Sequence, residues 1–352
     1  MHDLLHDLAK YVAGGIYFRR EVNQVEKIQK ATRHFSVEFD HNRYFNGFGI
    51  LCKTERLRTF MPTSRNLCDF GDGWHCNMSI PELFSKFKFL RILSLSYCVD
   101  IEEVPDSIGN LEHLRSLDLS RTAIRKLSEK ICSLSLLQIL KLKKCMDLEE
   151  LPSNLYLLTN LCRLELKYTR VRKVPPNLGK LKNLKIVMSS FNVGHGRELG
   201  IQQLRELNLD GSLTIKELQN IENSVDVLEA DLKNKTLLVN LMLRWNENSN
   251  DSKKEEDVIE NLQPCKTLKE LSIFRYGGKQ FPNWLLENSL WNMVSLDECE
   301  SCQCLPPLGV LPFLKVLKIR KLDGIVSIDG DFHGNNSYSF KCLETLEFSH
   351  MG

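Results

Sequence analysis

From Leu90 onward, leucines alternate with other residues in short bursts, and the bursts recur at a nearly fixed distance. The segments LRILSLSYC, LRSLDLSRT, LQILKLKKC and LCRLELKYT each read LxxLxLxx followed by Cys or Thr; their central leucines, Leu93, Leu117, Leu140 and Leu164, lie 24, 23 and 24 residues apart. Downstream of each comes a second apolar stretch at a constant offset: IEEVPDSIGNL, IRKLSEKICSL, LEELPSNLYLL and VRKVPPNLGKL. Alternation over LxL is the signature of a β-strand, with both leucines on one face and the residue between them on the other. The second stretch, with its Val-Pro or Leu-Pro step, predicts the return to the next strand. One such unit cannot bury its leucines alone, so stacked neighbours must complete a continuous core.

This is the pattern of a leucine-rich repeat. It predicts an α/β fold: a solenoid with a curved, parallel sheet of short strands on its concave face, preceded by a short helical segment. After Asn192 the spacing loosens, although LLVNLMLRW, TLKELSIFR, WNMVSLDEC, FLKVLKIRK and CLETLEFSH keep the strand signature. Before Leu90, ATRHFSV and ERLRTFMP read as degenerate opening strands. The expected organisation is a helical remnant over 1–32, opening repeats over 33–89, regular repeats over 90–192 and irregular repeats over 193–352. Within the last, NENSNDSKKEED (246–257) has no apolar residue and predicts a mobile polar loop. The closing SHMG follows a strand with no polar closing repeat, the pattern expected of a truncated array. Cys98, Cys145 and Cys299, with Thr122 and Thr169, stand where a small side chain turns into the core and bonds the bent backbone.

The chain opens with MHDLLHDLAKYVAGG, whose Leu4, Leu5, Leu8, Tyr11 and Val12 share one side of a helix while His2 stacks with His6 and Asp3 with Asp7. Gly14 and Gly15 end it. H-D-x-x-H invites comparison with the zinc-protease H-E-x-x-H, but Asp is shorter than Glu and no third ligand is evident. Cys299, Cys302 and Cys304 contain a C-x-x-C step without a second pair at metal-site spacing, so core and turn thiols are expected there. No metal site is predicted.

The formal net charge is +2, from 47 basic against 45 acidic residues, so no global field favours nucleic acid or an anionic membrane. No apolar run reaches the length of a membrane span, and the start lacks the apolar stretch of a signal peptide. The expected compartment is the cytosol or nucleus, with the 12 cysteines reduced. No Ser/His/Asp, Cys/His or paired-carboxylate motif suggests an enzyme.

MHDLLHDLAKYVAG, LEADLKNKTLLVNLMLRW, FPNWL and CESCQCLPPLGVLPFLKVLKI together resemble the plant nucleotide-binding leucine-rich-repeat disease-resistance receptors of the coiled-coil subclass. The resemblance covers essentially the whole chain. It implies that His2 and Asp3 correspond to the MHD motif, which in that family helps hold the resting, ADP-bound state. No GxxxxGK[ST] loop accompanies them, and YGGKQ at Tyr276 to Gln280 lacks the first glycine and the hydroxyl residue. No cofactor is therefore expected in this chain, ADP or ATP belonging only to a full-length receptor. The implied function is protein recognition in defence: of a pathogen effector, of a guarded host protein, or of the receptor's own nucleotide-binding domain in autoinhibition. A free-standing repeat adaptor is the alternative. The candidate docking residues are Arg91, Arg115, Lys141, Lys143, Arg163 and Lys167, basic positions on and beside the regular strands that Asp118 and Glu165 interrupt. No aromatic ladder accompanies them, which argues against single-stranded nucleic acid.

Overall fold

The computed structural model describes residues 14–20, 28–38, 44–45, 48–54, 56–63, 73–76, 78–196, 198–246, 251–288, 290–325, 328, 330–334 and 339–350. It divides into two compact units, Met1–Leu184 and Lys185–Gly352.

In the first unit the strands are β1 (Tyr17–Arg20), β2 (His34–Glu38), β3 (Tyr44–Phe45), β4 (Thr59–Thr63), β5 (His75–Cys76), β6 (Ile92–Ser94), β7 (Ser116–Asp118), β8 (Ile139–Lys141) and β9 (Arg163–Leu166). Their sheet runs β1-β2-β4-β6-β7-β8-β9, and β3 pairs with β5 alone. The pairings are parallel, as expected when an excursion returns the chain to the start of each strand. Register follows the central apolar residue of each burst: Phe35, Phe60, Leu93, Leu117, Leu140 and Leu164 are successive partners. All six are buried. Aromatic side chains replace leucine at the start of the row, where Phe35 stacks on Phe18 at 5.8 Å and on Phe60 at 6.0 Å. The returns between regular strands are tight 3-10 turns at Asp106–Asn110, Glu129–Ser133, Leu155–Leu157 and Leu178–Lys180.

The Cys/Thr column turns inward. Thr122 Oγ1 donates to the Leu119 carbonyl at 2.8 Å, Cys145 Sγ donates to the same oxygen at 3.1 Å, and Thr169 Oγ1 donates to Leu166 at 3.0 Å. Burial pushes the Cys98 thiol up to about 12.

The expectation of helix through residue 32 is corrected at Tyr17–Arg20, which forms β1 in register with Tyr17↔His34 and Phe18↔Phe35. The aromatic pair is better satisfied stacked on the sheet's first row than on a solvated helix. The amphipathic helix read from residues 1–13 lies outside the described residues.

The second unit contains β10 (Lys185–Met188), β11 (Ser190–Asn192), β12 (Gly211–Lys216), β13 (Leu238–Arg244), β14 (Glu270–Phe274), β15 (Met293–Asp297), β16 (Val316–Arg320) and β17 (Thr345–Ser349). β11 to β17 form a seven-stranded parallel sheet in chain order. Leu241, Leu271, Val294 and Leu317 form one buried row and Leu243, Ile273, Leu296 and Ile319 the other. Both rows end on β17 with Leu346 and Phe348, 47% and 38% exposed.

The mobile loop expected over 246–257 is corrected from Ser252 on, where a helix spans Ser252–Leu262; residues 247–250 lie outside the described residues. Asp251 caps it, its Oδ1 accepting from the Lys254 amide at 3.0 Å. Its inward face is completed by Val258, Ile259 and Leu262, all buried, which follow the polar run. Three of its glutamates then act as acceptors for the next repeat: Glu255 from the Gly277 amide at 2.6 Å, Glu256 from Lys279 at 2.8 Å and Glu260 from Asn283 at 3.0 Å. A carboxylate on a backbone N–H is a strong, directional bond. The acidic run is therefore a docking edge.

Candidate protein-docking face

Because the leucines of each burst point inward, the residues between them form an outward face in each unit. In the first unit it is built from rows. Ser94, Asp118, Lys141 and Glu165 are successive partners, as are Ile92, Ser116, Ile139 and Arg163. The charges in these rows partly cancel, since Lys141 Nζ lies 3.7 Å from Asp118 Oδ2 and Arg163 Nε donates to Glu165 Oε1 at 2.7 Å. Lys143 and Lys167 follow their strands, Lys143 exposed and Lys167 half-buried.

Four residues after each central leucine the backbone turns left-handed. Tyr97, Arg121, Lys144 and Tyr168 have φ of 64°, 60°, 61° and 62°. They form two cation–π contacts, with the Arg121 guanidinium 4.9 Å from the Tyr97 ring centre and the Lys144 ammonium 5.9 Å from that of Tyr168. This aromatic and basic rim borders the strand face.

The six basic residues predicted from sequence do not form one strip. Lys141 and Arg163 are engaged with acids of their own face, whereas Arg91 and Arg115 precede β6 and β7 and are exposed. Arg91 and Arg115 share their register position with Arg33 and Arg58, which sequence reasoning missed. The signal was present: RHF, RTF, RIL and RSL each place an arginine two residues before the central apolar residue.

On the second unit the corresponding face holds an aromatic ring between two cations, Phe274 lying 4.6 Å from the Arg244 guanidinium and 5.1 Å from that of Arg275. Beside it, Glu298 accepts from Lys321 Nζ and from Arg275 Nε, both at 2.5 Å, and Arg320 grips Glu347 with two bonds at 2.9 and 2.8 Å. The bonds from Lys321 and Arg275 hold the Glu298 carboxyl below its ordinary range.

Two sequence motifs with other chemical readings are absorbed by packing. At YGGKQ, the Gly277 amide is taken by Glu255 and the buried Tyr276 hydroxyl donates to Gln280 O at 2.8 Å, so this backbone cradles a carboxylate of its own chain. In the cysteine cluster, Cys302 Sγ donates to Gly278 O at 3.2 Å and Cys299 Sγ to Asp297 O at 3.4 Å, while Cys304 is exposed. The hydrogen bond with Cys299 and burial raise the Cys302 thiol far above its ordinary value. His2 and Asp3 lie outside the described residues. Among the described residues no helix is long and apolar enough to cross a membrane.

Comparison with known proteins places these features in a family. A disease resistance protein of Arabidopsis thaliana is 39% identical over 371 residues, a match covering 100% of this chain and 26% of that protein. Along its whole length the chain is thus homologous to a part of plant disease-resistance proteins. A second Arabidopsis member, disease resistance RPP13-like protein 1, is 37% identical over 100% of this chain and 35% of its own length, and RGA1 of Solanum bulbocastanum is 35% identical over 99% and 36%. The chain thus spans between about a quarter and about a third of these relatives. The family model described as R13L1/DRL21 LRRs matches residues 201–322, which lie within the second unit. A leucine-rich-repeat protein of Leptospira interrogans shares the fold alone, with a TM-score of 0.52 at 16% identity over 92% of this chain and 86% of that one.

Proposed function

We propose that this chain is a non-catalytic recognition surface of a plant immune receptor, docking proteins through the outward faces of its repeats in the cytosol or nucleus. The observation that carries the reading is the division of labour along each strand. The core positions of the strand rows are apolar, whereas outward positions vary between Ser, Ile, Asp, Lys, Arg, Glu and aromatic residues that the fold does not require. Solenoid faces of this kind offer extended surfaces for protein partners. Similarity of the whole chain to a part of disease-resistance proteins supports a role in defence, with an effector, a guarded host protein or a receptor nucleotide-binding domain as the partner.

ADP and ATP fall outside what this chain holds by itself. Phosphate binding calls for a cradle of backbone N–H groups with a lysine, and at YGGKQ the first amide of the Gly-Gly pair is occupied by Glu255. Calorimetry of the chain with ADP is expected to give no heat of binding.

The recognition reading is tested by charge reversal. Lys141→Glu, Lys143→Glu and Lys167→Glu together are expected to deplete the proteins captured from pathogen-challenged plant tissue without unfolding the chain, with the loss diminishing at high salt. Capture of the same partners at the same strength would place the docking surface away from these three lysines.

A further inference from the structure

Arg33, Arg58, Arg91 and Arg115 each stand immediately before one of four adjacent strands, β2, β4, β6 and β7, at one register position. The backbone fixes this: the Arg58 and Thr59 amides both donate to the Arg33 carbonyl (2.7 and 3.1 Å), those of Arg91 and Ile92 to Arg58 (2.7 and 3.0 Å), and those of Arg115 and Ser116 to Arg91 (2.7 and 3.0 Å). Neighbouring strands lie about 4.8 Å apart, so the four backbones span roughly 14 Å in a line. Arg91 and Arg115 are exposed, and Arg33 and Arg58 are half-buried. Among the described residues none of the four forms an ion pair, although Arg19, Arg163, Arg275 and Arg320 elsewhere do.

A column of like charges with no ion-pair partner among the described residues raises the local potential. Two groups register it. The His34 imidazole is held below its ordinary value of 6.5 by burial first and then by Arg58, Arg33 and Arg91, and the Arg58 guanidinium is lowered chiefly by Arg91. Apolar side chains stand beside the column. Phe89, 51% exposed and stacked on His113 at 5.9 Å, lies two residues before Arg91, Leu136 lies two residues before Gln138 on the next repeat, and Ile92 follows the column on β6.

We propose that this arginine column docks an acidic, partly apolar segment of a partner protein. Charge complementarity calls for a line of carboxylates, which guanidinium groups bind in planar, bidentate fashion. The flanking Phe89, Leu136 and Ile92 call for apolar side chains between those carboxylates, and aromatic residues with arginine are the usual composition of a protein interface. A polyphosphate would satisfy the charges and leave the apolar flank in water. The inference rests on the protein-recognition reading above and adds the chemistry of the partner.

The test uses the full chain and three probes: a fluorescent peptide of repeating Glu and Leu, a Glu-only peptide of equal charge, and inorganic polyphosphate. The Glu/Leu peptide is expected to bind more tightly than the Glu-only peptide and to weaken about tenfold or more in Arg58→Glu/Arg91→Glu. The loss should be several-fold smaller in the Lys141, Lys143 and Lys167 reversal, which lies outside the column. Arg58→Gln/Arg91→Gln, which removes charge without reversing it, should give an intermediate loss, and circular dichroism melting verifies that each variant is folded. Equal affinity in wild type and the arginine variants overturns the proposal, as does equal loss in the lysine variant. Polyphosphate binding more tightly than either peptide, with loss in the arginine variants, also overturns it and assigns the column to phosphate. Failure here with partner capture still sensitive to the lysine reversal would leave the recognition reading standing; loss of both would remove it.

Discussion

Leu140 occupies the shared core row between Leu117 and Leu164 and is fully buried. A carboxylate there would sit without a partner at that depth and would also strip contacts from the neighbouring repeats that complete its core. Leu140→Asp is expected to cost about 3–5 kcal/mol, read as a large fall in the thermal midpoint. Lys143→Glu, on the exposed side two residues past β8, should leave the midpoint essentially unchanged. A near-wild-type midpoint for Leu140→Asp would contradict the register given for β7, β8 and β9. At this scale the sequence was most readable where one residue type served one purpose, as with the leucines of the four regular bursts. The arginine column was harder to see because its members are spaced 25, 33 and 24 residues apart and two precede phenylalanine rather than leucine. Their alignment emerges only when the opening strands pair.

The helix Ser252–Leu262 shows why an element can hide in polar sequence. Its capping Asp251 and its glutamates read as solvated charge, but Glu255 is only 2% exposed and accepts the Gly277 amide, while Glu256 and Glu260 accept amides further along the same turn. Periodicity finds a helix by its apolar stripe, and here part of the buried stripe is a carboxylate whose partner lies 22 residues away. Glu255→Ala is expected to destabilise the second unit by about 2–3 kcal/mol, since a buried charge-assisted bond is lost and the Gly277 amide loses its acceptor. Hydrogen exchange is the sharpest readout, because the Gly277 amide should lose protection before the core strands do. If Gly277 exchanges equally slowly in the variant, the helix is held by Val258, Ile259 and Leu262 alone. β1 escaped sequence reading for the opposite reason. Tyr17–Arg20 lacks LxL alternation and gains its place from ring stacking against β2.

Across the whole molecule, the left-handed position after the strands is met in both units and is filled by side chains: Tyr97, Arg121, Lys144 and Tyr168 in the first, Arg275, Glu298 and Lys321 in the second. The fold demands only the sign of φ there, at a conformational cost of about 1–2 kcal/mol for any residue with a Cβ. Glycine would remove that cost but add roughly 0.5–1 kcal/mol of chain entropy and forfeit the rim contacts, so the two solutions lie close in energy. A library randomising Tyr97, Arg121, Lys144 and Tyr168 together should therefore yield mostly folded proteins, depleted in Val, Ile and Thr and modestly enriched in Gly and Asn when sorted for protease resistance. A library as intolerant as one made at Leu93, Leu117, Leu140 and Leu164 would refute this. Where backbone geometry tolerates nearly any side chain, inherited variation can accumulate without unfolding the array. If the chain recognises proteins as proposed above, that rim is where a lineage could change its partner while the leucine lattice beneath stays the same.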